Sequence, residues 1–315
     1  MIQSLPQISY RSLRLDRPVS IALEGTRLTL DDGPRRLEAK VIQGERTLEL
    51  QMPDDGLALA DYALDYLFSH LTEASKAVVV SSERRFQISR HEYFQDSEVW
   101  TARSSDTAEA WTETKGVRHP LRPRPPAGEH YRRYVPATGT TLSFRTVDPA
   151  RDLDLFHKWH NQPFVYELWD LNRSKEELAA YLEAGLKDPH QIPMILEVDR
   201  EPVGYFEVYW ATEDRLGPYY ENHPYDRGFH FLIGEKRFLG RANTAAAIAS
   251  VMHFIFLDDP RTRTVVAEPR YDNHKVLKYV QIVPGWRIEK EFDFPHKRAA
   301  LLMAPREEFF TRGAL

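Results

Sequence analysis

The sequence predicts an α+β fold: a mixed, splayed sheet with flanking helices in the C-terminal half, preceded by a smaller mixed α/β domain. Three observations predict it. The chain has 315 residues, beyond the roughly 100 to 200 of a common single domain. Strand-type alternation and helical i,i+4 spacing interleave along its length. A stretch rich in proline and arginine separates two halves of different character.

Residues 1–112 form the expected accessory domain. From Ile8 to Gln51, alternating stretches such as Leu28-Thr29-Leu30 and Thr47-Leu48-Glu49-Leu50 are broken by Asp31-Asp32-Gly33 and Gly44-Glu45, the punctuation of strands and turns. Leu59, Ala63, Leu67 and Leu71 then recur at helical spacing before the strand Ala77–Val80. Residues 113–138 read as a connector. Pro120, Pro123, Pro125, Pro126 and Pro136 lack backbone donors and should break regular ladders. Interleaved Arg118, Arg122, Arg124, Arg132 and Arg133 read either as a solvated run or as a site for an anion.

Residues 139–315 should hold the main domain. Leu142–Val147 alternates as a strand, and Asp148-Pro149 gives a helix start before Leu155, Phe156 and Trp159. Ser174 and Glu177 stand at capping-box spacing ahead of Leu178, Tyr181, Leu182 and Leu186. Strands follow at Pro193–Val198, Val203–Trp210 and Gly228–Ile233, then a helix after Gly240 and a strand at Thr264–Glu268. A short helix from Asp272 and a pair near Trp286–Phe294 and Ala299–Met303 complete the order β-α-α-β-β-β-α-β-α-β-β.

Composition narrows the function. Hydrophobic residues make up 42% and charged residues 28%, a globular mixture. With 47 acidic against 42 basic residues, there is no basic footprint for nucleic acid. The absence of cysteine excludes disulfides, thiolate ligands and an acyl-cysteine intermediate, so any acyl transfer should be direct. The first 20 residues mix charge into their apolar positions, unlike a signal peptide, and the apolar run Thr244–Leu257 is too short to span a bilayer. A cytoplasmic protein without membrane insertion is expected. His157 and His160 have metal-compatible spacing but no evident third ligand, so no metal is expected.

Chemistry concentrates after Ile233, where Arg237-Phe238-Leu239-Gly240-Arg241-Ala242 enters an apolar helix. A glycine permits a tight turn, and helix-start amides converge on an anion with the positive end of the dipole behind them. A diphosphate suits such a turn. The spacing RxxGxA alone also fits an ordinary strand-to-helix connection.

In its place between the fourth strand and the third main helix, the motif resembles the GNAT superfamily of acyl-CoA-dependent N-acyltransferases. Tyr131-Arg132-Arg133-Tyr134, Leu142–Arg145, Tyr205–Ala211, Asp226–His230 and Glu291–Arg298 resemble siderophore hydroxylamine acyltransferases, above all the N-hydroxylysine acetyltransferase type of aerobactin biosynthesis. The resemblance runs from Glu129 to the C-terminus. It implies the GNAT fold, acetyl-CoA as cosubstrate bound by Arg237–Ala242, and Asn273 near the pantetheine arm. It also implies proton handling by His230 and Glu268. GNAT enzymes often protonate the thiolate with a tyrosine seven residues after that asparagine; here Val280 holds that place, beside Tyr279, and the proton donor is left open.

Backbone amides of Phe231, Leu232 and Ile233 are expected beside the thioester. Trp169, Trp210, Asp226 and Lys297 lie in shared motifs: the indoles suit an acceptor's aliphatic arm or the core, Asp226 its ammonium and Lys297 its carboxylate. The implied reaction acetylates an N-hydroxylated diamine or amino acid. Hydroxylysine, hydroxyornithine and hydroxycadaverine, other acyl-CoAs, a non-catalytic assembly role and a homo-oligomer all remain open at this stage.

Overall fold

A computed structural model describes residues 4–315 except 12, 14, 16, 97, 103–107, 123, 313 and 314, and at Val280 the backbone alone. The first sheet runs through β1 (Leu5–Arg11), β2 (Pro18–Glu24), β3 (Arg27–Asp31), β4 (Arg36–Gln43) and β5 (Thr47–Gln51), with each strand antiparallel to the one before. Helix α1 (Ala60–His70) crosses over to β6 (Lys76–Val80), which pairs parallel with β5, and β7 (Arg85–Ser89) closes the sheet. Alternation dictates the faces: Val19, Ile21, Leu23, Leu28, Leu30, Leu48 and Leu50 are all buried. Of the helical series, Leu59 and Leu71 fall at the two caps of α1.

After α2 (Arg90–Tyr93), the chain forms a hairpin of β8 (Trp111–Thr114) and β9 (Val117–Pro120). The expected connector is then corrected: β10 (Glu129–Val135) is a strand of the second sheet, paired in register with β11 (Thr140–Thr146). The prolines border β10 without entering it, so its amides remain free to pair. The anion reading of the arginines is corrected too. Arg124 donates to the Gly185 and Gln191 carbonyls at 2.9 and 3.1 Å, and Arg122 is buried against Glu213 and the Pro224 carbonyl. These side chains staple the segment to the second half.

The second sheet continues through α3 (Pro149–His160), α4 (Pro163–Trp169) and α5 (Lys175–Lys187) to β12 (Gln191–Val198), β13 (Glu201–Trp210) and β14 (Arg227–Ile233). Asp148 caps α3, and Ser174 with Glu177 forms the capping box of α5. The order missed α4, which Pro163 starts and left-handed Asp170 ends, and the closing helix at Arg306–Thr311. Helix α6 (Arg241–Asp258), apolar on nearly every face, is buried against β10, β11 and the next strand, β15 (Thr264–Ala267), and meets Phe94 and Trp100 through His253. α7 (His274–Leu277), β16 (Arg287–Asp293), β17 (Arg298–Pro305) and α8 (Arg306–Thr311) complete the chain. Among the described residues no helix is long and apolar enough to cross a membrane.

One core joins the halves. Its members run from the inner face of the first sheet through Phe94 and Trp100 to Tyr131, Phe144 and Phe254. What positions the site is a split in the second sheet. β14 and β15 are parallel but pair only at Arg227–Val265 and Gly228–Val266, after which β14 continues to Ile233 without its neighbour.

Candidate active site

Opposed side chains on antiparallel strands share a face, so the register of β13 and β14 fixes the site. Glu207 stands opposite His230 and Tyr209 opposite Gly228. A Cβ at Gly228 would lie 2.2 Å from the Tyr209 ring, so the glycine leaves room for that ring to lie against His230 with centroids 4.9 Å apart. Glu268 follows β15 and reaches back across the split. Its Oε1 is 2.9 Å from His230 Nε2, and its Oε2 accepts from the Tyr209 hydroxyl at 2.6 Å.

The other imidazole nitrogen is also taken. Glu207 Oε2 is 3.2 Å from His230 Nδ1, while Glu207 Oε1 accepts from the Tyr181 and Tyr205 hydroxyls at 2.5 and 3.0 Å. Burial alone would lower the His230 pKa. The charge of Glu268 and the hydrogen bonds of both carboxylates outweigh it and raise the value to about 10. Magnitudes agree: at an effective dielectric of ~20, a carboxylate about 4 Å away supplies about 4 kcal/mol, and two of them offset a desolvation cost of several kcal/mol. Glu268 and Glu207, which burial would push up, are held below the usual carboxylate range, chiefly by the imidazolium. The resting centre is a carboxylate–imidazolium–carboxylate row.

The rim toward solvent is cationic. Arg215, half-exposed on the loop after β13, places Nη2 3.3 Å from Glu268 Oε1 and 3.4 Å from His230 Nε2. Lys297 donates to the Glu268 carbonyl at 2.7 Å, and both cations lie over the Phe294 ring. Trp169 forms the opposite wall, edge-on to His230 at 6.3 Å, and its indole N–H donates to the Phe231 carbonyl at 3.2 Å.

The same register selects the backbone donors. Gly234 N–H to Val203 O and Ala211 N–H to Asp226 O fix the ladder so that even-numbered residues of β14 exchange hydrogen bonds with β13. Phe231 and Ile233 turn their amides to the open side. Leu232, expected among the donors, faces β13 and is excluded by this two-residue period.

Beyond β14, Gly240 initiates α6 with φ 155° and ψ 159°, a region essentially restricted to glycine. The first amides of α6 follow it, with Arg241 and Ala242 exposed beside them. Arg237 is half-exposed and paired with Glu201, Leu239 is exposed, and Phe238 packs onto the core. Asn273 caps α7 by accepting from Val276 N–H at 3.2 Å.

Two expected residues are displaced from the acceptor site. Trp210 lies one step out of phase with Tyr209 and so faces the other side of the sheet, between the guanidinium groups of Arg122 and Arg227 at 4.3 and 4.2 Å. Asp226 is buried, its Oδ2 accepting from His223 N–H at 2.9 Å and from the Tyr220 hydroxyl at 3.3 Å, so it closes the 211–226 loop instead of meeting an ammonium. His160 packs against Trp169 with Nδ1 on the Phe156 carbonyl, and among the described residues no three potential ligands gather for a metal. A separate hollow of about 860 Å³, lined by His223, Tyr225, Arg261 and Arg306, contains none of the catalytic candidates. The buried acid–base row lies in the split, away from that hollow.

Comparison with known proteins matches these features. The model of the acetyltransferase (GNAT) domain fits residues 148–294. The N(6)-hydroxylysine O-acetyltransferase of Escherichia coli is 37% identical over 251 residues, 79% of each chain. The chain belongs to the GNAT acetyltransferase family. A Beauveria bassiana N(5)-hydroxyornithine:cis-anhydromevalonyl coenzyme A-N(5)-transacylase is 43% identical over 196 residues, 61% of this chain and 43% of the fungal one. The structure of an uncharacterized Bacillus halodurans protein superimposes with TM-score 0.55 at 30% identity, covering 58% of this chain and 93% of that one. As a GNAT enzyme the chain is an acyl-CoA-dependent acyltransferase, and the parted β14 and β15 with the Gly240 turn are the features of its fold that suit the thioester and the diphosphate. Sequence reasoning missed Glu207, Tyr209 and Arg215. The first two were legible as the alternate positions of Tyr205–Ala211, whereas Arg215 sits in a loop without periodicity.

Proposed function

We propose that this GNAT enzyme transfers the acetyl group of acetyl-CoA to the hydroxylamine nitrogen of N6-hydroxylysine, producing a hydroxamate for siderophore synthesis in the cytoplasm. The observation that carries the reading is the His230–Glu268 pair spanning the split beneath a cationic rim. A hydroxylamine is less basic than an alkyl amine and is largely neutral near pH 7, so attack needs little prior activation. Once the C–N bond begins to form, the nitrogen becomes acidic and a carboxylate such as Glu268 suffices to take its proton.

His230, charged in the resting protein, is not a free base. It works with Glu268 as one proton-transfer unit. Phe231 N–H and its neighbour at Ile233 face the side where the tetrahedral oxyanion forms, and such a donor is worth roughly 2.7 to 4 kcal/mol. Trp169 walls the aliphatic arm, while Lys297 and Arg215 receive the acceptor's carboxylate.

The test is a matrix of N6-hydroxylysine, N5-hydroxyornithine, N-hydroxycadaverine and lysine against acetyl-CoA and longer acyl-CoAs, scored by product mass. An N-acetyl product is a hydroxamic acid that colours with ferric ion and survives neutral hydroxylamine, whereas an O-acetyl ester is cleaved by it. Fast hydroxamate formation from N6-hydroxylysine is expected. Equal rates on lysine, whose amine is almost wholly protonated at pH 7, would replace this reading by a general amine acetyltransferase.

A further inference from the structure

Of the three groups in the buried row, Glu207 is the one the acyl transfer has not used. It stands on β13, on the side of His230 away from the split, with its side chain almost wholly buried. An ionised carboxylate accepts hydrogen bonds and donates none, so a carboxylate on each ring nitrogen requires hydrogen on both. The Tyr181 and Tyr205 hydroxyls close the other Glu207 oxygen and hold the carboxylate in line with the ring. Charges on the opposite side do not serve this end. Arg215 lies 3.4 Å from Nε2, and Lys297 competes for Glu268, so Glu268 alone faces three cations.

The remaining neighbours are Tyr209 against the ring face, His160 behind Tyr205, kept neutral by burial, and His296 beside Phe294. Glu207 therefore supplies the second negative charge that the ring needs to stay protonated beside two other cations.

We infer that Glu207 is a positioning residue that fixes His230 as a doubly protonated ring aimed across the split, so that His230 supplies the proton to the departing CoA sulfur. The inference rests on the proposed acyl transfer. In that step the nitrogen–carbon bond forms and the carbon–sulfur bond breaks with its electron pair going to sulfur. The nitrogen's proton passes to Glu268, and the sulfur takes the Nε2 proton. Return of the proton from Glu268 to Nε2, across 2.9 Å, restores the pair. This supplies the thiolate's proton donor, which the sequence left open.

The experiment is a titration of the full chain with 15N-labelled histidine, His230 being assigned by the signal lost in His230→Gln. In the wild type His230 should stay protonated above pH 8. In Glu207→Gln its midpoint should fall by at least one pH unit, and the alkaline limb of kcat should move by the same amount. Glu207→Asp, with the carboxylate withdrawn by one methylene, should fall partway and keeps the test open if the amide variant does not fold. Tyr181→Phe retains the carboxylate and should leave the midpoint in place or raise it. An unchanged midpoint in the Glu207 variants, or an equal fall in Tyr181→Phe, would overturn the inference. The titration reads the free protein, so it judges Glu207 even if the acceptor proves to be another amine.

Discussion

His230 Nε2 and Glu268 Oε1 meet at 2.9 Å across the point where β14 and β15 part, so the split is bridged by the pair we propose to move protons. Because the two act together, their losses should not add. His230→Gln and Glu268→Gln should each lower kcat about 10²- to 10⁴-fold, and the double variant should be little worse than either. Steady-state kinetics with saturating substrates decide this; multiplying losses would mean independent roles.

The same pair makes stability depend on pH. His230 has a folded pKa raised to about 10 from its ordinary value near 6.5, so the folded protein holds the extra proton. Its contribution is complete below about pH 6.5 and is lost as the pH rises toward 10. Glu268 and Glu207 are depressed, so theirs is present above about pH 4.3 and lost as acid protonates them. Urea unfolding between pH 6.5 and 9.5 should show the wild type losing stability more steeply than His230→Gln. Parallel curves would mean a neutral ring.

Gly240 should be required by its backbone. A Cβ there meets nothing within 4 Å, so Gly240→Ala creates no clash, but the dihedral angles cost of order 1 to 3 kcal/mol for any other residue. The turn should shift, and acetyl-CoA affinity measured by calorimetry should fall about tenfold while the acceptor KM stays near the wild-type value. Unchanged affinity in a folded variant would move the diphosphate site elsewhere.

Arg215 and Lys297 should read the acceptor's carboxylate. Removing either charge, as in Arg215→Gln or Lys297→Gln, should raise the N6-hydroxylysine KM about tenfold, in line with the ~1.5 to 3 kcal/mol of a charge-assisted hydrogen bond. N-hydroxycadaverine, which lacks that carboxylate, should be nearly unaffected. Equal losses on both acceptors would assign the cations to holding Glu268.

Asp226 should prove structural. Its carboxyl is raised to about 6 by burial, so its contribution to stability is present below about pH 3.9 and lost as the pH rises through 6. Asp226→Asn should flatten the stability profile across that interval and leave the N6-hydroxylysine KM within about twofold, a change too small to mark a lost ion pair. A large rise in KM would restore the residue to the acceptor site.

The sequence by itself determined most elements of the second half and the loop chemistry, because these are local properties. The capping box at Ser174 and Glu177, the glycine before α6, and the places of His230 on β14 and Glu268 just past β15 all follow from residues a few places apart. Tertiary structure decided everything that depends on which strand lies beside which. Glu207 became part of the site because register sets it opposite His230, and Trp210 left it because the two-residue period of β13 turns it to the other face. β10 joined the second sheet, against the proline signal nearby, because pairing with β11 satisfies the backbone groups of a segment that itself holds no proline. Charge was likewise a property of the assembled site: a lone histidine titrates near neutrality, and two buried carboxylates, one from β13 and one from just past β15, keep this one protonated.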